Sequence, residues 1–510
     1  MLSETKHPPA TPEERLLRSA QDDRREARRR GFQAGVIAGV PMVLAMLILS
    51  SAAGLPTLPD LFADPILFLI PGVVFGALID ALQFTAKSLL LAGLLLGQLA
   101  VCGLVGRLWA ERLAASPSPK PWQTAALAVG VIYVLFEGVL LPLLGQGVFP
   151  NWLGYLALHV VYWVGLVVAH EWDGGYEPER RRLLRTFVAA GLAVVGGGTA
   201  WRALGGATVA GASSGASNGE LSDEVTPTDR FYTVSKNVVS DPKVDAASWQ
   251  LRIDGLVERP TTYTLDAIRA LSSVEAYFTL QCISNLVGGD LIGNAKWKGV
   301  RLRDLLNAAG AQSGARKVVF HAADGYTDSI LPSKAMEENT LLVYEMNGEP
   351  LTYKHGAPAR LLIPGIYGMK NCKWITRIEV IDREYRGYWQ QQGWNDQATI
   401  QTMSRFDVPL NGHTVSGAVT IGGVAHAGDR GIAAVEVSTD GGKTWAQAAR
   451  KPALSPNSWT IWTHDWTPPK GSYRLMVRAT DGLGRTQVAE YADSYPDGAT
   501  GYHSINVRVI

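Results

Sequence analysis

Residues 278–306 read FTLQCISNLVGGDLIGNAKWKGVRLRDLL, and the change of character at Cys282 decides how this part of the chain folds. Before it, Glu275 to Leu280 is a strand candidate. After it come Ser, Asn and Gly, the residues of loops, and Val300 to Leu306 leads into a helix. A side chain that ends a strand and enters such a loop is presented instead of packed. Further strand candidates are Trp249 to Ile253, Lys317 to His321 and Arg360 to Ile363, all apolar or β-branched. A helix starts within residues 263–271, with Asp266 near its first turn. The expectation is a mixed α+β domain. Judged on its residue type, a lone Cys after a strand is more often a small buried hydrophobe than a ligand. No C-x-x-C, H-x-x-x-H or paired-carboxylate spacing surrounds it, so zinc and hydrolytic constellations find little support. His321 and His355 are present, but nothing in the sequence aims either at a nucleophile.

Working outward, 510 residues call for two or three domains, and 47% of them are apolar against 18% charged. The apolar runs crowd the first 205 residues, which argues against a wholly soluble enzyme. Lys plus Arg number 47 and Asp plus Glu 46, a formal charge of +1, which removes the global electrostatic argument for nucleic-acid binding. Three cysteines, Cys102, Cys282 and Cys372, cannot make a disulfide framework, and Cys102, in an apolar span, reads as packing.

Residues 1–30 are polar and end in Arg28-Arg29-Arg30, the composition of a disordered cytoplasmic tail. Uncharged or nearly uncharged runs follow at Gly31 to Ser51, Ser88 to Gly106, Trp122 to Gly145, Trp152 to Ala169 and, shorter, Thr186 to Trp201. A helix needs about 20 residues to cross a hydrocarbon core of about 30 Å. Basic clusters lie at Arg28–Arg30, at Arg107, Arg112 and Lys120, and at Arg180–Arg185. All three face the cytoplasm only if Pro65 to Phe84, interrupted by Pro71-Gly72, is re-entrant or interfacial. The expectation is a bundle of about five transmembrane spans over residues 31–204 in the cell membrane, with everything downstream on the extracytoplasmic face. Arg180 to Arg185 and the Gly-rich run after it resemble an internal twin-arginine signal; an Arg-rich stop-transfer flank reads equally well. Residues 205–224 form a flexible linker by composition. Asp80 and Glu137 are intramembrane carboxylates, thin support for transport.

A second stretch, LLVYEMNGEPLTYKHGAPARLLIPGIYGMKNCKWITRIEV at 341–380, joins the first in a resemblance. LQC-x-x-N with a later W-x-G-x-x-L, then YEMNG-x-PL, HG-x-P-x-R, PG-x-x-G and KW, are similar to the pattern of sulfite oxidase family molybdopterin enzymes, from about Thr226 to the end. The resemblance implies that residues 225–402 are an α+β molybdopterin domain with Cys282 as thiolate ligand to molybdenum. It implies that His355 and Arg360 contact the pterin, Arg360 holding its phosphate, and that Asn371, Cys372 and Lys373 bind it largely through backbone groups. Tyr232, Thr233, Ser235, Lys236 and Asn237 fall where relatives carry an aromatic pair and then R-N-H, and Asp324 is a further pterin contact. The family's active-site tyrosine is matched to Tyr385 or Tyr388, before Trp389-Gln390.

Residues 403–510 alternate as short strands, with Asp440-Gly441-Gly442 as a hairpin turn and Trp459, Trp462 and Trp466 as core. The expectation is an immunoglobulin-like sandwich, which by resemblance is the family's dimerisation domain. Arg430 aligns with an arginine reaching the substrate pocket in relatives; an exposed turn arginine is an equal reading. Leu286 and Val287 stand where sulfite oxidases carry two anion-binding arginines, which favours a neutral S-oxide, whereas the retained sandwich favours the sulfite-oxidising branch, so the expected substrate is an S-oxide or a sulfite-like compound and the direction of reaction stays open. The implied function is membrane-anchored oxygen-atom transfer at a Cys-ligated molybdenum. No haem is expected in this chain, so electrons exchange with an external carrier or a quinone, and a homodimer is the implied assembly. The alternative is a non-catalytic membrane receptor or assembly protein with a degenerate molybdopterin fold.

Overall fold

The computed structural model describes residues 11–53, 55–82, 85–143, 151–175, 219–237 and 241–510. The basic run at 180–185, the apolar run at 186–201 and the linker up to residue 218 lie outside the described residues. The chain divides into two compact units, residues 1–67 with 87–207, and residues 68–86 with 208–510.

In the first unit, α1 (Pro12–Ala53), α4 (Thr85–Ala114), α5 (Pro121–Leu135) and α6 (Trp152–Gly175) are the long helices. The expectation of a disordered tail over residues 1–30 is corrected from Pro12 onward, where the chain is helical. Its Glu, Arg, Ala and Gln residues are strong helix formers. Glu26 pairs with Arg30 one turn on, and Arg28 reaches Glu111 of α4 at 2.9 Å. Below this the two helices meet on small residues: a Cβ on Gly35 would lie 2.2 Å from the Cys102 carbonyl oxygen, and one on Gly106 2.3 Å from that of Gly31. This is the small-x-x-x-small contact that lets backbones touch. Cys102 is buried in that contact, and its carbonyl accepts a hydrogen bond from Tyr162 Oη of α6 at 2.6 Å. α5 passes into a π turn, Phe136–Leu140, and then Leu141–Leu143; Pro142, lacking an N–H, cannot continue the ladder to the residue four before it.

Four helical stretches are long and apolar enough to cross a membrane: Gln21–Ser50, Thr85–Ala114, Pro121–Leu143 and Trp152–Glu171. The interrupted segment forms two short helices, α2 (Leu58–Leu69, 12 residues) and α3 (Gly72–Leu82, 11 residues). At about 1.5 Å per residue neither crosses alone.

The second unit holds α3 and two β-rich layers. Its first sheet runs β2 (Thr261–Thr264), β1 (Gln250–Gly255), β10 (Ile375–Ile381), β5 (Lys317–Ala322), β6 (Thr327–Ile330), with only β1 and β10 parallel. Its second runs β3 (Val274–Gln281), β4 (Ile292–Arg301), β7 (Leu341–Met346), β8 (Glu349–Pro350), with β9 (Arg360–Leu362) also paired to β7. The helices α7 (Leu265–Arg269), capped by Thr264, and α8 (Leu302–Ala309), ended by Gly310 at φ 71°, contribute Ile268, Leu305 and Leu306 to the core between. The four expected strands are present with bounds shifted by a residue or two; β9 ends one residue early, at Leu362. β4, rich in Gly, Asn and Lys, carries little strand propensity of its own and is held by pairing on both edges.

Residues 403–510 form two facing sheets. One is β11 (Met403–Val408), β13 (Val419–His426), β17 (Thr460–Trp466), β16 (Ala449–Arg450). The other is β12 (Thr414–Val415), β19 (His503–Val509), β18 (Gly471–Asp481), β14 (Ile432–Ser438), β15 (Ala446–Gln447). Ile421, Trp462, Val435, Val477 and Ile505 close the sandwich. Of the three expected core tryptophans Trp462 fills this core, Trp466 packs half-buried against it, and Trp459 lies outside it. Trp459, just before β17, packs with Ile292 of the neighbouring layer, and Trp466, at the strand's end, stands edge-on to Tyr473 at 4.9 Å.

Candidate active site

Cys282 directly follows β3, where the ladder ends and the loop to β4 begins, but the expectation of a presented side chain is corrected: it is 8% exposed and packs in an apolar cluster with Phe231, Tyr232 and Leu280, because the loop after it folds back over the strand end. Asn285, three residues on, closes that loop: its Oδ1 accepts from the Leu291 amide at 2.9 Å. The sandwich clamps it from outside, Arg405 donating to the Gly289 carbonyl at 2.7 Å while forming a buried ion pair with Asp407. Leu286 and Val287 are half-buried in the same loop. The Cys282 thiol is 3.1 Å from Ser284 Oγ. Two tyrosines lie within its electrostatic reach, Tyr232 and Tyr367, and burial pushes both phenols up, with Cys282 adding to the effect. A Cβ on Gly368 would stand 2.9 Å from Tyr232 Oη and 3.2 Å from the Gln281 carbonyl oxygen, so only glycine lets these segments converge.

Tyr232 also lies within electrostatic reach of Arg360, which stands in a group of basic side chains. The Arg360 guanidinium, 6% exposed, donates to the carbonyls of His355 (3.2 Å) and Asn371 (3.1 Å) and lies over the Trp297 ring. Its Nε has no partner, and no carboxylate faces it among the described residues. Burial lowers its pKa to about 10. His355 donates from Nε2 to the Thr228 carbonyl at 3.0 Å, and its ring edge meets Phe231. Burial, then Arg360, Lys373 and Lys354, hold it neutral with a pKa of about 4. Lys373 donates to the Lys354 carbonyl at 3.1 Å and covers Trp374. Asn371 gives its side chain to the fold, accepting from the Ile363 amide at 2.6 Å and donating to the Tyr367 carbonyl. Cys372 is buried in the apolar core, where burial raises its thiol pKa; its backbone carbonyl accepts from the Leu361 amide.

Asn237 and Asp324 meet at 3.1 Å. Thr233 is buried beside Tyr232, and Ser235 and Lys236 are half-buried, with Lys236 over the Tyr388 ring at 5.5 Å. Tyr388 packs among Tyr326, Trp389 and Phe68, whereas Tyr385 lines a cavity with Gln390 and Trp394. Arg430 is neither an exposed turn residue nor free. Its Nε donates to Asp481 at 2.8 Å and its Nη2 to the Ile400 carbonyl and Thr402 Oγ1, close enough to Tyr367 to oppose the rise of that phenol.

Sequence reading did not single out Tyr367 or the buried cluster of Lys370 with Asp328 (2.8 Å) and Asp396 (3.0 Å). Tyr367 stands inside the quoted PGIYG motif, so a signal existed for it; the lysine's two carboxylates come from distant segments.

A buried guanidinium without a counter-ion, a neutral histidine and the unpartnered atoms Gln281 Oε1 and Asn285 Nδ2 suit an anionic group rich in hydrogen-bonding atoms, beside a soft thiolate ligand. The fold and this donor set define a molybdopterin-binding oxidoreductase. The family model for the oxidoreductase molybdopterin binding domain matches residues 238–389, and that for the Mo-co oxidoreductase dimerisation domain matches 391–496. The chain is 34% identical to sulfite oxidase of Arabidopsis thaliana over 281 residues, 45% of this chain and 71% of that one. It is 29% identical to the mitochondrial sulfite oxidase of Drosophila melanogaster over 56% of this chain, spanning 59% of that relative. Sulfane dehydrogenase SoxCD from Paracoccus pantotrophus shares the fold, with a TM-score of 0.50 at 23% identity over 56% of this chain and 81% of that one. The chain belongs to the sulfite oxidase family of molybdopterin oxidoreductases, and the cofactor of its catalytic unit is molybdenum–molybdopterin.

Proposed function

We propose that the chain is a membrane-anchored enzyme that transfers an oxygen atom at a molybdenum ligated by Cys282, on the extracytoplasmic face, with a neutral S-oxide as the favoured substrate class. The observation that carries this reading is a buried thiol directly after β3 in the same domain as a buried Arg360 that has no carboxylate partner among the described residues. When bound, the cofactor supplies the two-electron oxygen-atom chemistry. The protein's own groups hold and tune the site. Arg360 neutralises the pterin phosphate in planar geometry, His355 stays neutral and donates, and Arg405 fixes the Cys282 loop. Leu286 and Val287, in place of guanidinium groups, leave the loop without the cations that an anion such as sulfite would need. The four apolar helices support anchoring, and the match to a dimerisation domain supports a homodimer with an immunoglobulin-like sandwich at its contact.

The test is metal and pterin analysis of the purified protein together with turnover, driven by a reduced viologen or followed with an oxidising dye, on a panel of S-oxides and on sulfite. Stoichiometric molybdenum and S-oxide reduction lost in Cys282→Ala are expected. Absence of metal, or metal-dependent turnover that survives Cys282→Ala, would overturn the reading.

A further inference from the structure

A cavity of about 460 Å³ in the catalytic unit is lined by Tyr385, Arg386, Gln390, Trp394 and Asp396 among others, a size within the range of ligand sites, roughly 300–1,000 Å³. Its wall is polar, and the fold leaves several of its polar atoms open. Gln390, on the short helix Tyr388–Gln391, is only 5% exposed, yet neither its amide oxygen nor its amide nitrogen has a partner among the described residues. The indole nitrogen of Trp394, 6% exposed, is likewise without one, although its ring is fixed edge-on to Tyr495 at 5.2 Å. Buried polar atoms in this state carry a desolvation cost that a hydrogen-bonding ligand offsets. A Cβ on Gly387 would lie 2.6 Å from Gln390 Oε1, so the glycine leaves room for the amide next to Arg386. The two carboxylates of the wall already face cations: Asp396 meets Lys317 at 2.6 Å and Lys370 at 3.0 Å, and Glu384 stands 3.8 Å from Arg316. The Arg386 guanidinium is exposed and has no carboxylate partner among the described residues.

A ligand that matches this wall offers acceptors to Gln390 Nε2 and Trp394 Nε1, a donor to Gln390 Oε1 and a negative charge to Arg386. In an extended chain the N–H and C=O of one residue point to the same side, which is how paired residues of antiparallel strands exchange two hydrogen bonds. A primary amide open at both ends presents the same edge. A simple carboxylate has no donor for Gln390 Oε1, and a neutral carbonyl compound has neither donor nor charge. We propose that the cavity binds an extended peptide segment ending in a free carboxylate. Gln390 pairs with the N–H and C=O of one residue, Trp394 donates to a neighbouring carbonyl, and Arg386 holds the terminal carboxylate. The site uses none of the residues assigned to the pterin, and it stands without the molybdenum reading.

The experiment uses the full chain in detergent micelles, with N-acetyl-dialanine, its C-terminal amide and sodium acetate as probes in calorimetric titrations. Saturable 1:1 binding of N-acetyl-dialanine is expected, weakened about tenfold or more in Gln390→Leu and in Trp394→Phe. Arg386→Gln weakens it too and no longer distinguishes the acid from its amide. Gln390→Leu exchanges an unsatisfied buried amide for an apolar side chain, so its thermal midpoint stays at or above that of wild type, which a structural role for the amide would not allow. If the leucine variant misfolds, Trp394→Phe and Arg386→Gln carry the same comparison. No binding to wild type, acetate bound as tightly as the peptide, or affinity indifferent to these positions overturns the proposal. Failure of the enzyme reading shows separately, as missing molybdenum or missing viologen-driven turnover.

Discussion

A guanidinium that is 6% exposed with no carboxylate beside it is held in the fold against its desolvation cost, and that cost is offset only when an anion arrives. Arg360→Met is therefore expected to leave the fold intact by circular dichroism yet lower pterin content of the purified protein at least tenfold, since a charge-assisted hydrogen bond is worth about 1.5–3 kcal/mol. Arg360→Lys falls between, because an ammonium loses the planar fork; pterin fluorescence after extraction reads both. Lys370 poses the opposite case. Its ammonium, 1% exposed, neutralises the fully buried Asp328, whose carboxyl burial pushes up and Lys370 draws back. Lys370→Met strands that carboxylate and is expected to destabilise the catalytic unit by about 3–5 kcal/mol. Lys370→Met with Asp328→Leu should recover part of the loss, as measured by denaturant unfolding.

At the scale of elements, α1 and α4 meet where side chains are absent. A Cβ on Gly35 collides with backbone 2.2 Å away, whereas one on Gly93 of α4 meets nothing within 4 Å. Gly35→Leu is expected to separate the helices and lower the thermal midpoint of the detergent-solubilised protein by several degrees, and Gly93→Leu to leave it within a degree. The repeat Gly31-x-x-x-Gly35-x-x-x-Gly39 is visible in the sequence, but its partner surface on α4, more than sixty residues away, is not. The strand at Cys282 was legible for a different reason: apolar residues followed by Ser, Asn and Gly mark a strand end wherever they occur. β4 was not, because Gly, Asn and Lys form a strand there only between two neighbours.

For the whole molecule, two buried histidines set an acid limit. Burial lowers His426 to about 3 and His503 to about 4, both below the usual 6.5. The unfolded chain takes up these protons first, so the stability they contribute is complete above pH 6.5 and is lost as pH falls from there toward 4. The shifts amount at most to about 5 kcal/mol for His426 and about 3 kcal/mol for His503. His503 also accepts from the Phe406 amide at 3.0 Å, beside the arginine that clamps the Cys282 loop, so acid is expected to loosen that clamp as well. Thermal midpoints between pH 7.5 and 4.5 check this. The acid limb should be shallower in His426→Leu, and an unchanged limb would contradict the assignment.

By itself the sequence determined the partition into an apolar half and an α+β half, the strand that ends just before Cys282 and the family motifs, because these rest on local periodicity and contiguous residues. It left open, or misjudged, what depends on groups brought from far apart. Residues 12–30 are helical where the composition alone argued disorder, since Arg28 finds Glu111. Arg430 is tied to Asp481, and Trp459 belongs to a joint between layers. Tyr367, Tyr232 and Gly368 converge on Cys282 only once β3 and the 368–370 turn are packed together. A burial cost, a missing counter-ion or a backbone contact is a property of the assembled neighbourhood, so only the tertiary structure decided which of the candidate residues share one site.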